Sequence, residues 1–366
     1  MWHDSARQGT RPTAATATPV SRPARERRAH AGLLQRGEVY PDRDRFSVLV
    51  RAAAAARQQA LGAVRAALAH IHDGRGVDLP ALQAAVEELA EIVGEDPSAA
   101  LCLTNLKRHH EYTAVHSVNV SVLALALGMH LGLGQRTLEQ VALGALLHDV
   151  GKVRIPAALL DKPGPLTPDE AAIARRHPQE GHDLVAAGGD AARAVLEIIR
   201  MHHERVAGDG YPRGLAGDRI PRHVRIVGLC DAYDAMTTTR AHAAALVPDK
   251  ALQELYRDAP GAFGVDLVQE FIRCLGIFPV GSVVELDDGS VGVVVAAPAG
   301  AGLWPTALPA ARRRRHAVRE APAGQSRGRA DDEQRAGGRR ISAPRPREAG
   351  VDAAAIAAGE FGLQAA

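Results

Sequence analysis

Between Phe46 and Ile71 the apolar positions recur on one helical face, with Leu61, Val64, Leu68 and Ile71 spaced 3, 4 and 3 residues apart. A turn at Asp73 to Gly76 precedes a second helix, which Asp78 is placed to cap and which carries Pro80 in its first turn. Its stripe is Leu82, Val86, Leu89 and Val93. Two amphipathic helices of this kind either form a dimer stalk or pack on their own domain, and the heptads are too short for a coiled coil, so packing is expected. In Leu101 to Leu133, the second half of HEYTAVHSVNVSVLALALGMHLGL is largely apolar, which predicts a buried helix starting near His116. The next helix, Thr137 to His148, turns Leu138, Val141, Leu143, Leu146 and Leu147 inward and ends at His148-Asp149.

Pro156 to Pro165 is expected to be loop. Thr167 and Glu170 then stand at capping-box spacing around Pro168 and open a further helix. Pro178 directly after His177 predicts a break or kink there. Asp190 is placed to cap the helix AARAVLEIIRMHHE, which presents His202 and His203 at its end, before the glycine-rich loop Gly208 to Pro212. His223 to Arg240 reads as a helix on which Asp231 and Asp234 share one face. Helices around Leu252 and Val268 follow. Ser282 to Ala297 alternates like a strand pair, with Asp287 to Ser290 as the hairpin turn.

Composition sharpens this outline. Of the 366 residues 46% are hydrophobic but only 3% aromatic, so the core must be built from Leu, Val, Ile and Ala, which favours close-packed helices. A mainly α fold with a small C-terminal β-hairpin is expected. Residues 1–44 and 298–366 lack apolar periodicity and are expected to be disordered, the second as a basic tail that includes Arg312 to Arg315. The net charge of +2 argues against nucleic acid as a partner. Cys102, Cys230 and Cys274 suggest neither a disulfide framework nor a thiolate zinc site, which fits a reducing cytoplasm. Asn119, Ser121 and His130 interrupt the longest apolar run, so no membrane span is expected, and no h-region marks a signal peptide.

The chemistry gathers in one residue class. His116, His148, Asp149, His177, His202, His203 and Asp231 form an imidazole and carboxylate set without cysteine, suited to iron, manganese or a related divalent ion. Taken singly, a histidine such as His116 is more often a satisfied core residue than a ligand. Seven ligands exceed the needs of one metal and match two ions sharing a carboxylate. Such a centre activates water and neutralises charge on phosphorus during in-line displacement, which points to phosphoester hydrolysis.

HDVGK, RHPQEG, HHE followed by GYP, and DAYDAMTTTR resemble, in order, the motifs of the HD-GYP family of the HD phosphohydrolase superfamily. The resemblance covers roughly residues 101–297. It leaves 45–100 as a helical pair, a stalk or packing helices ahead of that domain. It implies an HD-type helical bundle and a metal-dependent phosphodiesterase that opens cyclic di-GMP to linear pGpG, with the end product, pGpG or GMP, left open. The seven residues above would be the ligands of two divalent ions, iron or manganese, with Asp149 as the bridge. Asp149 and Lys152 would be catalytic, and Lys152, Tyr211, Asp234 and Arg240 would meet the substrate. Tyr211 either stacks on a guanine or sits in a tight structural turn. Partners compatible with the family are a diguanylate cyclase and a second copy of the chain.

The chain departs from the family pattern in three places. Ala207 stands where an aspartate is usual, Tyr112 where trinuclear members carry glutamate, and Ala241, His242 and Ala243 where Pro, Tyr and a basic residue are common. These changes favour two metals over three and leave a thinner basic wall. They keep open a binding module that holds cyclic dinucleotide or a cyclase without turnover, and a hydrolase for another guanine nucleotide. His109, His110, His182 and His242 match no ligand position.

Overall fold

The structure, a computed structural model, describes residues 43–104, 112–239, 245–286, 291–296, 306–309 and 341–344. Its helices are α1 (Arg43–His72), α2 (Leu79–Glu95), α3 (Pro97–Thr104), α4 (Tyr112–His130), α5 (Gln135–Leu147), α6 (Ala157–Leu160), α7 (Pro168–Ala174), α8 (His177–Ala186), α9 (Arg193–Met201), α10 (Arg222–Thr237), α11 (Pro248–Ala262) and α12 (Val265–Leu275). A 3-10 turn, Val150–Arg154, links α5 to α6.

Local chemistry accounts for several boundaries. Asp78 caps α2 by accepting from the Ala81 amide, and Thr167 and Glu170 close a reciprocal capping box at α7. The helix break expected around Pro178 falls just before His177, between the end of α7 at Ala174 and the start of α8. His177 opens α8, so the proline lies in the first turn, where its missing N–H costs nothing. Asp190 does not cap α9, since Ala192 holds the cap position without a side-chain bond. The segment 156–165 expected as loop contains the single turn α6, and α4 starts one turn before His116.

One continuous core runs from Phe46 on α1 to Val295 in the sheet. Helix α4 is its axis and packs against α5, α10, α2, α3 and α1. Leu61, Val64, Leu82, Val86, Leu89 and Val93 all lie in this core, so the α1–α2 pair packs on the helical body and does not extend from it. The window Thr113–His130 has the length and hydropathy to cross a bilayer, with mean hydropathy 1.3, which the polar interruptions had argued against. Inside the fold 78% of it is buried, and Ser121 donates to the Ala142 carbonyl, as in a core helix.

The expected hairpin is present as β1 (Val283–Leu286) and β2 (Val291–Ala296), antiparallel with Val283 opposite Val293. It belongs to a larger sheet. β3 (Thr306–Pro309) and β4 (Ile341–Pro344) flank it in the order β3-β2-β1-β4. These two segments correct the expectation of disorder throughout 298–366. Edge strands are recruited through backbone N–H and C=O groups, so they need no apolar period of their own. Residues 1–42 and the hairpin turn Asp287 to Ser290 lie outside the described residues.

Candidate metal centre

The ligand-bearing side chains sit at helix ends that converge on α4. His148 is the C-cap residue of α5, His177 the first residue of α8, and His202 the C-cap of α9 with His203 next to it. Asp231 and Asp234 project from α10, and His116 from inside α4. The convergence depends on close backbone approach. A Cβ on Gly151 would lie 2.0 Å from the His177 carbonyl oxygen and 2.4 Å from the Gly181 amide nitrogen, so only glycine lets the turn after His148-Asp149 rest on the start of α8.

All seven expected ligands come together. Three overlapping sets, His116/His148/Asp231, His148/Asp149/His202 and His177/His202/His203, each have ligand atoms within 4.8 Å of one another. Asp149 lies across the cluster. Its Oδ2 is 3.4 Å from His148 Nε2 and 3.8 Å from His116 Nε2, while its Oδ1 is 3.4 Å from His177 Nε2.

Ring orientation shows what the cluster is built to hold. The Nδ1 of His148, His177 and His202 each donates to the carbonyl three residues earlier, on Ala145, Ala174 and Ile199, at 2.7, 2.8 and 3.0 Å. A carbonyl only accepts, so in each neutral ring the proton is on Nδ1 and the Nε2 lone pair points inward. His148 Nε2 is buried without a hydrogen-bond partner, and His177 Nε2 faces His202 Nε2 at 3.3 Å. Two lone pairs aimed at one another in a dry site repel unless a cation lies near them.

The electrostatics agree. Burial pushes His202 well below the usual imidazole range, lowers His177, and takes His203 down to about 3, so these rings stay neutral. Burial would raise Asp149, but the Lys152 ammonium beside it outweighs this and holds that carboxyl well below the usual range. Asp231 is held down in the same way, mainly by His116. Neutral imidazoles and ionised carboxylates in a cysteine-free site fit hard or borderline divalent ions.

His116 is held differently. Its Nε2 lies 3.0 Å from Asp231 Oδ1 and its Nδ1 2.7 Å from Asp234 Oδ2. Burial lowers its pKa, but the two carboxylates outweigh this and push it up to about 9. Asp234 was expected to meet substrate. Its side chain is 1% exposed and accepts from His116 and from Asn119 Nδ2 at 3.1 Å, so it stands behind His116.

Around the mouth, Lys152 Nζ is 2.5 Å from Asp149 Oδ2 and remains partly exposed. Tyr211 stacks on His203 with ring centroids 4.6 Å apart, and the Arg175 guanidinium lies 5.3 Å from its centroid. Sequence reasoning did not single out Arg175, although it lies two residues before His177. It also passed over Glu204, the last letter of HHE. This buried carboxylate accepts from the Arg213 and Leu215 amides, both at 2.7 Å, and so braces the loop from inside. A Cβ on Gly210 would lie 2.4 Å from the Arg205 nitrogen and 2.5 Å from the His203 oxygen. At Ala207 the amide donates to the Gly261 carbonyl at 2.8 Å, so backbone bonds hold the position where an aspartate is usual. His182 pairs with Asp183 on the surface, as an ordinary polar histidine does. His109, His110, Arg240, Ala241, His242 and Ala243, and the Tyr112 side chain, lie outside the described residues.

Residues 98–264 match the family model described as HD domain. Over 246 residues the chain is 35% identical to a cyclic di-GMP phosphodiesterase of Pseudomonas aeruginosa, covering 67% of this chain and 59% of that one. Over 176 residues it is 36% identical to a cyclic di-GMP phosphodiesterase response regulator of Xanthomonas campestris, covering 47% of each. The chain therefore spans roughly half to three fifths of the length of these relatives. A solved HDG"Y"P protein from Bdellovibrio bacteriovorus shares its fold, with a TM-score of 0.51 at 20% identity over 68% of this chain and 77% of that one. With an HD-type helical bundle, an HD-domain match and the motif order HD, HHE and GYP gathered at one cluster, the chain belongs to the HD-GYP family of the HD phosphohydrolases.

Proposed function

We propose that the chain is a metal-dependent phosphodiesterase that opens cyclic di-GMP to linear pGpG. The observation that carries the reading is the inward aim of the Nε2 lone pairs of His148, His177 and His202 around the two oxygens of Asp149. Two divalent ions, iron or manganese, would acidify a water and neutralise charge at phosphorus. The seven clustered residues would hold them, with one Asp149 oxygen turned to each side.

The protein's own groups do the rest. Lys152 sits at the rim with its ammonium on Asp149, where it is able to turn to a phosphate oxygen as negative charge develops. Tyr211, backed by His203 and flanked by Arg175, offers a flat cationic wall suited to a guanine and its phosphate. Glu204 holds that wall in place through the Arg213 and Leu215 amides.

The test is a turnover assay on the full chain, purified without oxygen and loaded with Mn2+ or Fe2+, with products separated by chromatography. Cyclic di-GMP should yield pGpG. Chelation should stop the reaction and Mn2+ restore it, while Asp149→Asn should fall to background. Absence of turnover with every metal overturns the proposal, and tight nucleotide binding without turnover would make the chain a sensing module. A higher kcat/KM for another cyclic dinucleotide or a guanosine polyphosphate would change the substrate and keep the chemistry.

A further inference from the structure

Helix α1 precedes the residues matched as HD domain, yet it reaches the back of the metal cluster. Arg57, half-buried on α1, points an NH2 group at Asn119 Oδ1, 3.4 Å away on α4. Asn119 Nδ2 donates to Asp234 Oδ1 at 3.1 Å, and Asp234 Oδ2 accepts from His116 Nδ1 at 2.7 Å. His116 Nε2 then faces Asp231 and Asp149 inside the cluster. The relay crosses from α1 to α4 to α10 and returns to α4.

We infer that Arg57 is a positioning residue for the metal centre, acting through Asn119 and Asp234 on the ring of His116. The inference rests on the proposed role of His116 as a ligand.

The physical reason lies in the donor and acceptor inventory. A guanidinium only donates and an ionised carboxylate only accepts, so an amide between them has one orientation that satisfies both. Arg57, together with the Thr104 carbonyl that also accepts from Asn119 Nδ2 at 3.4 Å, holds the Asn119 orientation that presents N–H to Asp234. A cation on the amide oxygen also polarises the amide and strengthens its donation to the carboxylate. Asp234, held from that side, keeps its other oxygen on His116 Nδ1 and leaves Nε2 aimed inward, as outer partners of metal-binding histidines do. Burial lowers the Arg57 pKa while the charge of Asp234 raises it, so the two groups sense each other across the amide. The Arg57 Nε is buried with no hydrogen-bond partner, which is costly for a group whose only task is to dock a helix.

The experiment measures Mn2+ affinity of the full chain in chelator-buffered solution, with kcat/KM and thermal unfolding alongside. Arg57→Met should weaken Mn2+ binding by about tenfold, the lower end for outer partners of a ligand. Arg57→Lys, which retains charge but loses the planar fork, should fall between parent and Arg57→Met. In an Asp234→Asn background Arg57→Met should add little further loss, because the relay is already cut. Parent-like affinity in Arg57→Met, or a loss that simply adds to that of Asp234→Asn, overturns the inference. If Arg57→Met does not fold, Arg57→Lys decides by the same two comparisons. The readout uses no nucleotide, so failure to hydrolyse cyclic di-GMP would sink the proposed function and leave this result standing.

Discussion

Four of the five histidines of the cluster divide into two groups that are held in opposite ways. His148, His177 and His202 each stand at a helix end and fix their own tautomer on a carbonyl three residues earlier. Everything that aims them is local backbone. His116 lies inside a helix, where carbonyls are already engaged, and its Nδ1 is fixed by Asp234, 118 residues away. The first group needs only correctly ended helices, whereas the second needs the tertiary fold to deliver a carboxylate. Here the helix ends aim their imidazoles through local backbone, and the imidazole from a helix interior depends on a buried polar relay.

The largest effect expected from breaking this contrast comes from Asp234→Asn. It should weaken Mn2+ binding by about 10- to 100-fold and lower turnover accordingly, as measured by chelator competition. Glu204→Gln should come next. It removes the charge from two buried bonds to the Arg213 and Leu215 amides, a loss of about 1–3 kcal/mol in loop stability. Limited proteolysis near Asp209 should speed up and KM should rise, while Mn2+ affinity moves little. Ala174→Ser should have the smallest effect, with Mn2+ affinity unchanged within about twofold, because His177 uses only the Ala174 carbonyl. A large loss there would show that the local histidines also depend on side chains and would erase the contrast.

The loop before Tyr211 teaches a related lesson. The missing aspartate at Ala207 leaves open what holds the loop, because the sequence shows which side chain is absent and not what replaces its bonds. The fold holds Ala207 by a backbone bond to Gly261 and holds the following residues on Glu204. Arg175 likewise supplies a cation beside Tyr211. Compensation of this kind is three-dimensional and leaves no mark at the altered position.

Much was legible from residues alone. The apolar stripes of α1 and α2, the cap at Asp78, the capping box at Thr167 and the seven clustered residues were all readable, because periodicity, capping and ligand type are local properties. What the sequence left unread shares a cause. Asp234 resembles Asp231 in type and helical face, and only the fold packs it against His116 and Asn119. β3 and β4 carry no apolar period, since they join the sheet through backbone groups. Glu204 and Arg57 are a carboxylate and a guanidinium of a common surface kind, and burial alone changes their meaning.

The sequence by itself determined the mainly α character, the family and the residues able to hold metal, since each depends on the identity and spacing of neighbours along the chain. The tertiary structure decided which carboxylate faces the cluster and which supports it, how the altered loop is braced, and that α1 reaches His116. Those outcomes depend on distances between residues far apart in the chain, which spacing along the chain does not encode.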